Sequence, residues 1–438
     1  MSEALRIGIA GLGTVGSAVI RLFDEKVEML TRQYGCPVQI VAVSARNRSR
    51  ERNINVNSFI WYDSPEELAV SADIDVFVEL IGGETGSACR AIKLALEAGH
   101  HVVTANKALL ARHGVELAQL AESKGLLLNF EAAVAGGIPV IKVLRESLSG
   151  SSISRIYGIL NGTCNYILTQ MEEEGLSFEE CLKNAQALGY AESDPTFDIE
   201  GNDTAHKLAL LTSLAFGTII SPENIYVEGI SNISLADIRM ADELGYRIKL
   251  LGVAVKTDTG IEQRVHPTMV PTSSVIAQVK GVTNAVAIET DLLGELLLSG
   301  AGAGGNATAS AVIGDIADIA KSHLCFQHGP VFGTPANALK PYIKAAVRFH
   351  AGGYFIRLGV YDRTGVFASL AKRMAENDIL LKSIVQQPVV ETQAQGTKTI
   401  VLITHQTAEA AVRRALAAIT QDGNLVDKAQ IIRIERFS

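Results

Sequence analysis

Short apolar runs alternate with amphipathic stretches along the first 130 residues of the chain. The runs LRIGIA, VQIVAVSA, IDVFVELI and HVVTAN have the length and composition of buried strands. The stretch TVGSAVIRLFDEKVEML carries apolar residues at helical spacing, and CRAIKLALEAG and GVELAQLAESKG are amphipathic in the same way. Repeated strand–helix–strand units predict an α/β fold with a doubly wound parallel sheet over residues 1–130.

The pattern becomes mixed over residues 131–304. TAHKLALLTSLAFG predicts a buried helix, whereas EQRVHPTMV and AVAIET predict strands. We therefore expect a central α+β domain that binds the substrate. The glycine-rich SGAGAGGNATAS then precedes the helical pattern AVIGDIADIAK. We expect that helix, over about residues 305–325, to return to the first domain, because a glycine-rich loop that opens a helix suits cofactor contact.

The C-terminal part of the chain follows a segment with several prolines and glycines, which predicts a linker over residues 326–353. Beyond it, residues 354–438 contain strand and helix patterns in the order βαββαβ. That order is typical of a ferredoxin-like domain.

Composition and charge narrow the class of protein. A chain of 438 residues is expected to form two or three domains. The net charge of −8 disfavours a nucleic-acid or anionic-membrane partner. The N-terminus does not have the pattern of a signal peptide, and apolar runs of membrane-spanning length are absent from the sequence. The five cysteines are scattered, which predicts reduced thiols, a cytoplasmic location and no zinc site.

A glycine motif follows the first strand and opens the first helix. In Gly11-Leu-Gly13-Thr14-Val15-Gly16, the first glycine permits a tight turn and the second lets the backbone approach a pyrophosphate. The third lets the helix pack closely on the strand. This context favours a dinucleotide-binding Rossmann domain over a glycine-rich turn without a ligand.

The end of the second strand bears on the choice of dinucleotide. A carboxylate there would bind the ribose 2′-hydroxyl of NAD, but the sequence reads Ser44-Ala45-Arg46, followed by Arg48 and Arg50. A guanidinium at this position suits a 2′-phosphate. The pattern therefore favours NADP over NAD, the alternative being a solvated basic turn.

The segment 185–207 contains ALGYAESDPTFDIEGNDTAHK, which places five carboxylates ahead of one lysine. Asp203 or Thr204 is a candidate cap for the following helix, and Asp203 and Lys207 would then share one helical face. A lysine held near carboxylates can donate or accept a proton, whereas a surface salt bridge has the same spacing. The spacing alone leaves both interpretations open.

Five motifs together resemble the homoserine dehydrogenase family: GLGTVG, NKALL at 106–110, EAAVAGGIP at 131–139, NGTCNYIL at 161–168 and the segment just described. The C-terminal unit resembles an ACT domain. The resemblance implies reversible, NAD(P)-dependent interconversion of L-homoserine and L-aspartate 4-semialdehyde, in threonine, methionine and isoleucine biosynthesis. It also implies a homo-oligomer, either a dimer or a tetramer, in which the central domain serves catalysis and dimerisation.

The resemblance assigns roles to particular residues. Lys207 would be the acid–base catalyst, and Lys107 would lie close to the cofactor and the reacting oxygen. The residues implied for the substrate are Thr163, Gly189, Glu192, Asp198 and Asp203. Those implied for the dinucleotide are Gly11, Gly13, Thr14, Val15, Gly16, Arg46, Lys107, Gly302 and Gly304. Backbone oxygens of Glu131, Val134, Gly136 and Ile138 would hold a monovalent cation such as sodium (Na+), the alternative being a turn whose glycines serve only geometry.

The ACT resemblance implies feedback inhibition by L-threonine through the turn Asp362–Gly365, although such a domain can also serve dimerisation alone. Two other functions stay open beside the implied one. One is a dehydrogenase of another small amino or hydroxy acid, and the other is a non-catalytic amino-acid sensor that keeps the cofactor fold.

Overall fold

A computed structural model of the chain describes residues 4–34, 37–325, 329–345, 351–386 and 396–435. The N-terminal part is a parallel sheet with the strand order β3-β2-β1-β4-β5-β6, as expected for a dinucleotide-binding fold. Its strands are β1 (Leu5–Ala10), β2 (Val38–Ser44), β3 (Ile60–Tyr62), β4 (Val76–Glu79), β5 (His101–Thr104) and β6 (Leu128–Asn129). Its helices are α1 (Thr14–Tyr34), α2 (Pro65–Ala69), α3 (Ser87–Ala98) and α4 (Lys107–Ser123).

Both faces of this sheet are covered, which explains why its strands read as continuous apolar runs rather than alternating ones. The helix α11 (Gly305–Cys325) lies against α1, and its Val312 and Ile316 are buried in one cluster with Val19 and Phe23. The helix α11 therefore packs against the N-terminal part of the chain.

The central part places helices on one face of a mainly antiparallel sheet. Its helices are α5 (Val140–Lys142), α6 (Gly162–Glu174), α7 (Phe178–Ala187), α8 (Thr196–Ile199), α9 (Asn202–Phe216) and α10 (Leu235–Glu243). Its strands are β7 (Ile153–Ile159), β8 (Tyr226–Val227), β9 (Tyr246–Thr257), β10 (Gly260–Pro271), β11 (Thr283–Thr290) and β12 (Gly294–Ala301). A π-helical turn over Val143–Ser147 continues α5. The helix α9 buries nearly its whole length, as its apolar sequence predicts.

The C-terminal unit has the predicted βαββαβ order. It consists of β13 (Ala351–Tyr361), α12 (Val366–Ala375), β14 (Leu381–Gln386), β15 (Thr397–Thr404), the short β16 (Thr407–Ala408), α13 (Glu409–Gln421) and β17 (Gln430–Ile434). The antiparallel order β17-β13-β15-β14 is that of a ferredoxin-like sheet. In addition, β17 pairs in parallel with β10, so the central and C-terminal strands form one continuous sheet.

Charged side chains are buried where β17 joins the central sheet. The guanidinium of Arg264, 2% exposed, donates to Glu262 at 2.5 Å and to Glu435 at 2.5 Å. Arg155 donates to the second oxygen of Glu435 at 3.0 Å. Separating β17 from β10 would leave these buried charges with fewer partners, so the network stabilises the junction between the two strands.

Two expectations from the sequence need correction. The cap of α9 is Gly201, in a left-handed conformation with φ 87°, so Asp203 lies inside the first turn and does not cap the helix. The described part of the predicted linker, residues 329–345, is packed rather than loose. Val331 and Phe332 are buried in the core, and Lys340 and Lys344 form backbone bridges to the central part. The strand β13 also begins at Ala351, within the predicted linker.

Among the residues that the structure describes, every helix is too short or too polar to cross a membrane.

Candidate active site

The glycine motif forms the turn that its spacing predicts. An ideal Cβ on Gly11, which has φ 103°, would lie 2.4 Å from the carbonyl oxygen of Leu80. A Cβ on Gly16 would lie 2.0 Å from the carbonyl oxygen of Gly11. A Cβ on Gly13, in contrast, would meet no described atom within 4 Å. Two of the glycines therefore serve packing, and Gly13 leaves an open backbone surface at the N-terminus of α1, where a pyrophosphate would bind.

A groove of about 660 Å³ runs past this turn. One wall carries Gly13 and Thr14, the opposite wall carries Gly304, and Arg50 and Arg52 contribute positive charge. Arg52 is held by three backbone oxygens, those of Leu12, Asn47 and Arg50, at 2.8–3.1 Å. Arg46 follows the end of β2 and is exposed.

The glycine-rich loop before α11 touches the loop that begins at residue 131. A Cβ on Gly136 would lie 2.4 Å from the carbonyl oxygen of Gly302, and the amide of Gly137 donates to the carbonyl of Ala301 at 3.0 Å. Gly304 has φ 106° and an open surface. The two loops therefore meet beside the part of the groove lined by Ala303 and Gly304, and the sequence resemblance implies that Gly302 and Gly304 approach the nicotinamide half of the dinucleotide.

The residues proposed to hold a cation lie in a tight turn. Ala135 and Gly136 are both left-handed, with φ 56° and 55°, which is unusual for an alanine. The carbonyls of Glu131 and Ile138 each accept one amide, from Val134 at 3.4 Å and Val140 at 2.8 Å, so a second lone pair remains on each. The buried carboxylate of Glu131 accepts two backbone amides and supplies negative charge. Neutral oxygens near a buried carboxylate fit a monovalent cation.

One buried carboxylate holds two lysines from different parts of the fold. The ammonium of Lys207 donates to Asp203 Oδ2 at 2.7 Å, and that of Lys107 lies 3.0 Å from Asp203 Oδ1. Lys207 also donates to the carbonyl oxygen of Leu160 at 2.7 Å. The side chain of Asp203 is 6% exposed and that of Lys207 is 12% exposed, so this is not a surface salt bridge. Of the two interpretations that the spacing left open, the surface ion pair is therefore excluded, and the proton-transfer role of Lys207 stays a prediction.

Asn161 completes the carboxylate network. Its side-chain amide donates to Asp198 at 2.8 Å and to Asp203 at 2.9 Å. Its side-chain oxygen accepts the amide of Cys164 and so caps α6. Both ends of one amide are thus used, and the start of α6 is fixed relative to the two aspartates.

The two aspartates differ in their electrostatics. Burial opposes the ionisation of Asp203, but Lys207, Lys107 and the donated hydrogen bonds outweigh it and hold the pKa of Asp203 well below its usual range. Burial and the neighbouring charge of Asp203 raise the pKa of Asp198. Asp203 is therefore a permanent anion at neutral pH, which keeps both ammonium groups at the site.

The other substrate residues implied by the sequence are Thr163, Gly189 and Glu192. The hydroxyl of Thr163 donates to the carbonyl of Tyr190 at 2.6 Å, so the start of α6 is tied to the turn at Gly189. Asp198 lies on α8, between that turn and Asp203, while Glu192 is exposed. Asp194 instead accepts the amide of Thr196 and serves the local turn.

Sequence reasoning missed two residues that shape the site. Asn161 directly precedes a helical pattern, and this cap signal could have identified it. Glu79 lies at the end of an apolar strand, where a charged residue is unexpected, and it is fully buried. Its carboxylate accepts the amides of Ile81 and Gly82 and the hydroxyl of Thr104, so it shapes the loop beside the glycine motif.

Lys107 has an unusual place for a lysine. It is the first residue of α4, after the cap Asn106, which accepts the amide of Leu109. A positive charge is unfavourable at a helix N-terminus, so the position suggests a role in the site rather than in the helix. Two ammonium groups on one anion can bind an oxygen that gains negative charge and can transfer a proton to it.

Comparisons with known proteins agree along the whole chain. A family model described as "Homoserine dehydrogenase" matches residues 139–317, and one described as "Homoserine dehydrogenase, NAD binding domain" matches residues 11–131. The homoserine dehydrogenase of Neisseria gonorrhoeae is 44% identical over 99% of this chain and 99% of its own. That of Pseudomonas aeruginosa is 40% identical over 100% of both chains.

Solved structures of homoserine dehydrogenases are also similar to this chain. A homoserine dehydrogenase from Thiobacillus denitrificans superposes with a TM-score of 0.93 at 39% identity, over 99% of both chains. A hyperthermophilic archaeal homoserine dehydrogenase in complex with NADPH superposes with a TM-score of 0.63 at 30% identity. It covers 74% of this chain and 99% of its own.

The different roles of the glycines can be tested with a pair of variants. Gly13→Ala should weaken NADPH binding by about tenfold or more and leave the unfolding temperature unchanged, because its methyl group enters only the groove. Gly16→Ala should lower stability by about 1–3 kcal/mol, because its methyl group meets backbone. Fluorescence titration with NADPH and thermal unfolding measure both effects. Wild-type NADPH affinity in Gly13→Ala would contradict this assignment of the groove.

Proposed function

The chain belongs to the homoserine dehydrogenase family, and on that premise we propose that it interconverts L-homoserine and L-aspartate 4-semialdehyde with NADP as its preferred dinucleotide. It is an oxidoreductase that acts on a CH–OH group and has an NAD-binding domain. The observation that carries the proposal is the pair of lysines held by the buried Asp203, of which Lys107 begins the helix that follows β5 of the dinucleotide-binding sheet.

In this mechanism the dinucleotide, when bound, accepts or supplies a hydride at the carbon that bears the reacting oxygen. Lys207 handles the proton of that oxygen. In the direction of reduction its ammonium donates a proton to the forming alkoxide, and in the direction of oxidation the amine accepts the hydroxyl proton. Two of its three ammonium protons are directed to Asp203 and Leu160, so the third is available for the substrate.

Lys107 contributes positive charge rather than the proton. Its side chain is 32% exposed, more than that of Lys207, and it lies on the side of Asp203 that belongs to the dinucleotide-binding part. A fixed cation there stabilises negative charge that develops on the reacting oxygen. Because its position is set by the capped start of α4, little reorganisation is needed when the substrate binds.

The amino-acid end of the substrate needs carboxylates for its ammonium group. We assign this role to Glu192, with Asp198 as support from the network around Asn161. Glu192 is exposed in the free protein, so its carboxylate is accessible to an ammonium. The backbone at Gly189 and the hydroxyl of Thr163 would complete this end of the pocket.

The backbone oxygens of Glu131, Val134, Gly136 and Ile138 would hold the monovalent cation, for which we propose sodium. Since this turn touches the loop at Gly302, a bound cation would help to fix the floor of the nicotinamide end. The cation would supply positive charge and no redox chemistry.

The cellular role follows from the reaction. We propose that the enzyme serves threonine, methionine and isoleucine biosynthesis in the cytoplasm, as a dimer or tetramer, and that L-threonine inhibits it through the ACT-like C-terminal unit. Support for regulation comes from the ferredoxin-like order of that unit and from its continuous sheet with the central part. Regulation requires that L-threonine bind two states of the enzyme with different affinity.

The role of Lys207 predicts the effect of its removal. Lys207→Met should lower kcat for homoserine oxidation by about 10²–10⁴-fold, because the proton acceptor is lost. NADP binding should persist, since the groove is unchanged. The matched control is Lys183→Met on α7, an exposed lysine for which wild-type kcat is expected. A kcat within about threefold of wild type in a folded Lys207→Met protein would contradict the assignment.

The basic turn after β2 predicts cofactor choice. Arg46→Ala and Arg50→Ala should each raise KM for NADP by about tenfold and change KM for NAD little, because only NADP carries the 2′-phosphate. The exposed Arg32 at the end of α1 supplies the control, Arg32→Ala, for which both KM values should stay unchanged. Equal effects on NADP and NAD would contradict 2′-phosphate recognition at this turn.

A further inference from the structure

A third lysine is buried in the central sheet, distinct from the two that Asp203 holds. Lys249 lies on β9 and is 1% exposed, although a lysine is rarely buried without an ion partner. Its ammonium donates to two neutral oxygens, the carbonyl oxygen of Val279 at 2.7 Å and the side-chain oxygen of Asn165 at 3.1 Å. Burial lowers the pKa of Lys249 to about 8.

The acidic neighbours of Lys249 are engaged by other cations. Glu172 is paired with Arg247 and Glu173 with Lys280, each at 2.6 Å, so the positive charges of those partners offset the attraction that the two acids exert on Lys249. A buried charge that is balanced only in part lowers stability, and an apolar side chain of similar length would avoid this cost. The presence of Lys249 therefore points to a role other than stability.

Asn165 connects this lysine to the segment 279–283, which leads into β11. Asn165 lies on α6 and is 1% exposed. Its side-chain nitrogen lies 2.9–3.2 Å from three carbonyl oxygens, those of Val279, Gly281 and Thr283. Because Lys249 donates to the oxygen of the same amide, it fixes the orientation in which the nitrogen reaches the segment.

The segment 279–283 lies against the start of α6. A Cβ on Gly162 would lie 2.8 Å from the carbonyl oxygen of Val282, so backbone packs directly on backbone. The two residues before Gly162 belong to the lysine–carboxylate network. The carbonyl of Leu160 accepts a hydrogen bond from Lys207, and Asn161 binds both aspartates. A shift of the segment would therefore move the groups that orient Lys207.

The same segment supports the glycine-rich loop before α11. The residue after it, Asn284, is 1% exposed, and a Cβ on Gly302 would lie 2.0 Å from its side chain. The loop at Gly302 thus packs on the end of the segment with no room for a side chain. Substrate and dinucleotide ends of the site have this one support in common.

We propose that Lys249 is a positioning residue for the reaction. It acts through Asn165 and the segment 279–283, which hold the start of α6 in place. The start of α6 in turn directs Lys207, and a misplacement of about 1 Å at a reacting group can lower a rate about a hundredfold. The effect on turnover rests on the proposed function, whereas the effect on the order of α6 does not.

Kinetics of homoserine oxidation and fluorescence titration with NADPH test this role on the full-length protein. Lys249→Met removes the ammonium and keeps a side chain of similar length, and Lys249→Gln keeps an N–H donor. Lys256→Met is the matched control, because Lys256 lies on the same strand and is exposed. Asn165→Ala removes the next link, alone and together with Lys249→Met. Thermal unfolding shows whether each variant is folded.

Lys249→Met should lower kcat/KM for homoserine by about tenfold or more, mainly through kcat, while NADPH affinity stays within about twofold of wild type. Lys249→Gln should have intermediate activity, and it answers the case in which Lys249→Met does not fold. Lys256→Met should behave like wild type. Because Lys249 and Asn165 act on one segment, the double variant should lose little more activity than the weaker of the two single variants.

Hydrogen exchange measures the order of α6 without turnover. In the free protein, the amides of residues 162–169 should exchange faster in Lys249→Met than in wild type, because the segment that packs on them is held less firmly. The amides of β1, in the dinucleotide-binding sheet, should exchange at the wild-type rate and serve as the control.

The proposal is overturned by a folded Lys249→Met protein whose kcat and KM both stay within about threefold of wild type. A loss of NADPH affinity by the same factor as kcat would also overturn it, since that result indicates general loosening. Effects of Lys249→Met and Asn165→Ala that multiply in the double variant would show that the two residues act independently. If wild type does not oxidise homoserine, the proposed function fails and hydrogen exchange alone decides: faster exchange in α6 supports the positioning role, and unchanged exchange contradicts it.

Discussion

The site depends on one buried carboxylate that must neutralise more than one charge. Asp203 cannot be buried as an anion without partners, and two lysines and an amide supply them. The lysines in turn could not stay together without the anion between them, because like charges repel. Since Lys107 comes from the dinucleotide-binding part and Lys207 from the central part, Asp203 also fixes how these two parts meet.

The starts of three helices position Asp203, the two lysines and Asn161. The left-handed Gly201 starts α9 early enough to place Asp203 in its first turn and Lys207 one turn later. Asn106 caps α4 and directs Lys107 from the opposite side. Asn161 caps α6 with one end of its amide and binds both aspartates with the other. Three helix starts therefore converge, so ordinary capping geometry positions the reacting groups.

Much of this was predictable from local pattern. The strand–helix alternation, the glycine motif, the βαββαβ order and the Asp203–Lys207 pair all depend on residues close together in sequence. The contact of Lys107 with Asp203 and the role of Asn161 depend on distant segments, which periodicity does not reveal. The parallel pairing of β17 with β10 was missed for the same reason, because the sequence pattern of a strand does not show which other strand it pairs with. The predicted cap of α9 was wrong because the helix begins after Gly201, two residues before Asp203, although aspartate is also a common cap residue.

The most direct test of the account is the kcat of Asp203→Asn, measured together with its NADP affinity. Asparagine has nearly the same shape as aspartate but cannot neutralise the two ammonium groups. If Asp203 holds both lysines in place, kcat should fall by about a hundredfold or more while NADP affinity changes little. A folded Asp203→Asn protein that oxidises homoserine at nearly the wild-type rate would contradict the account.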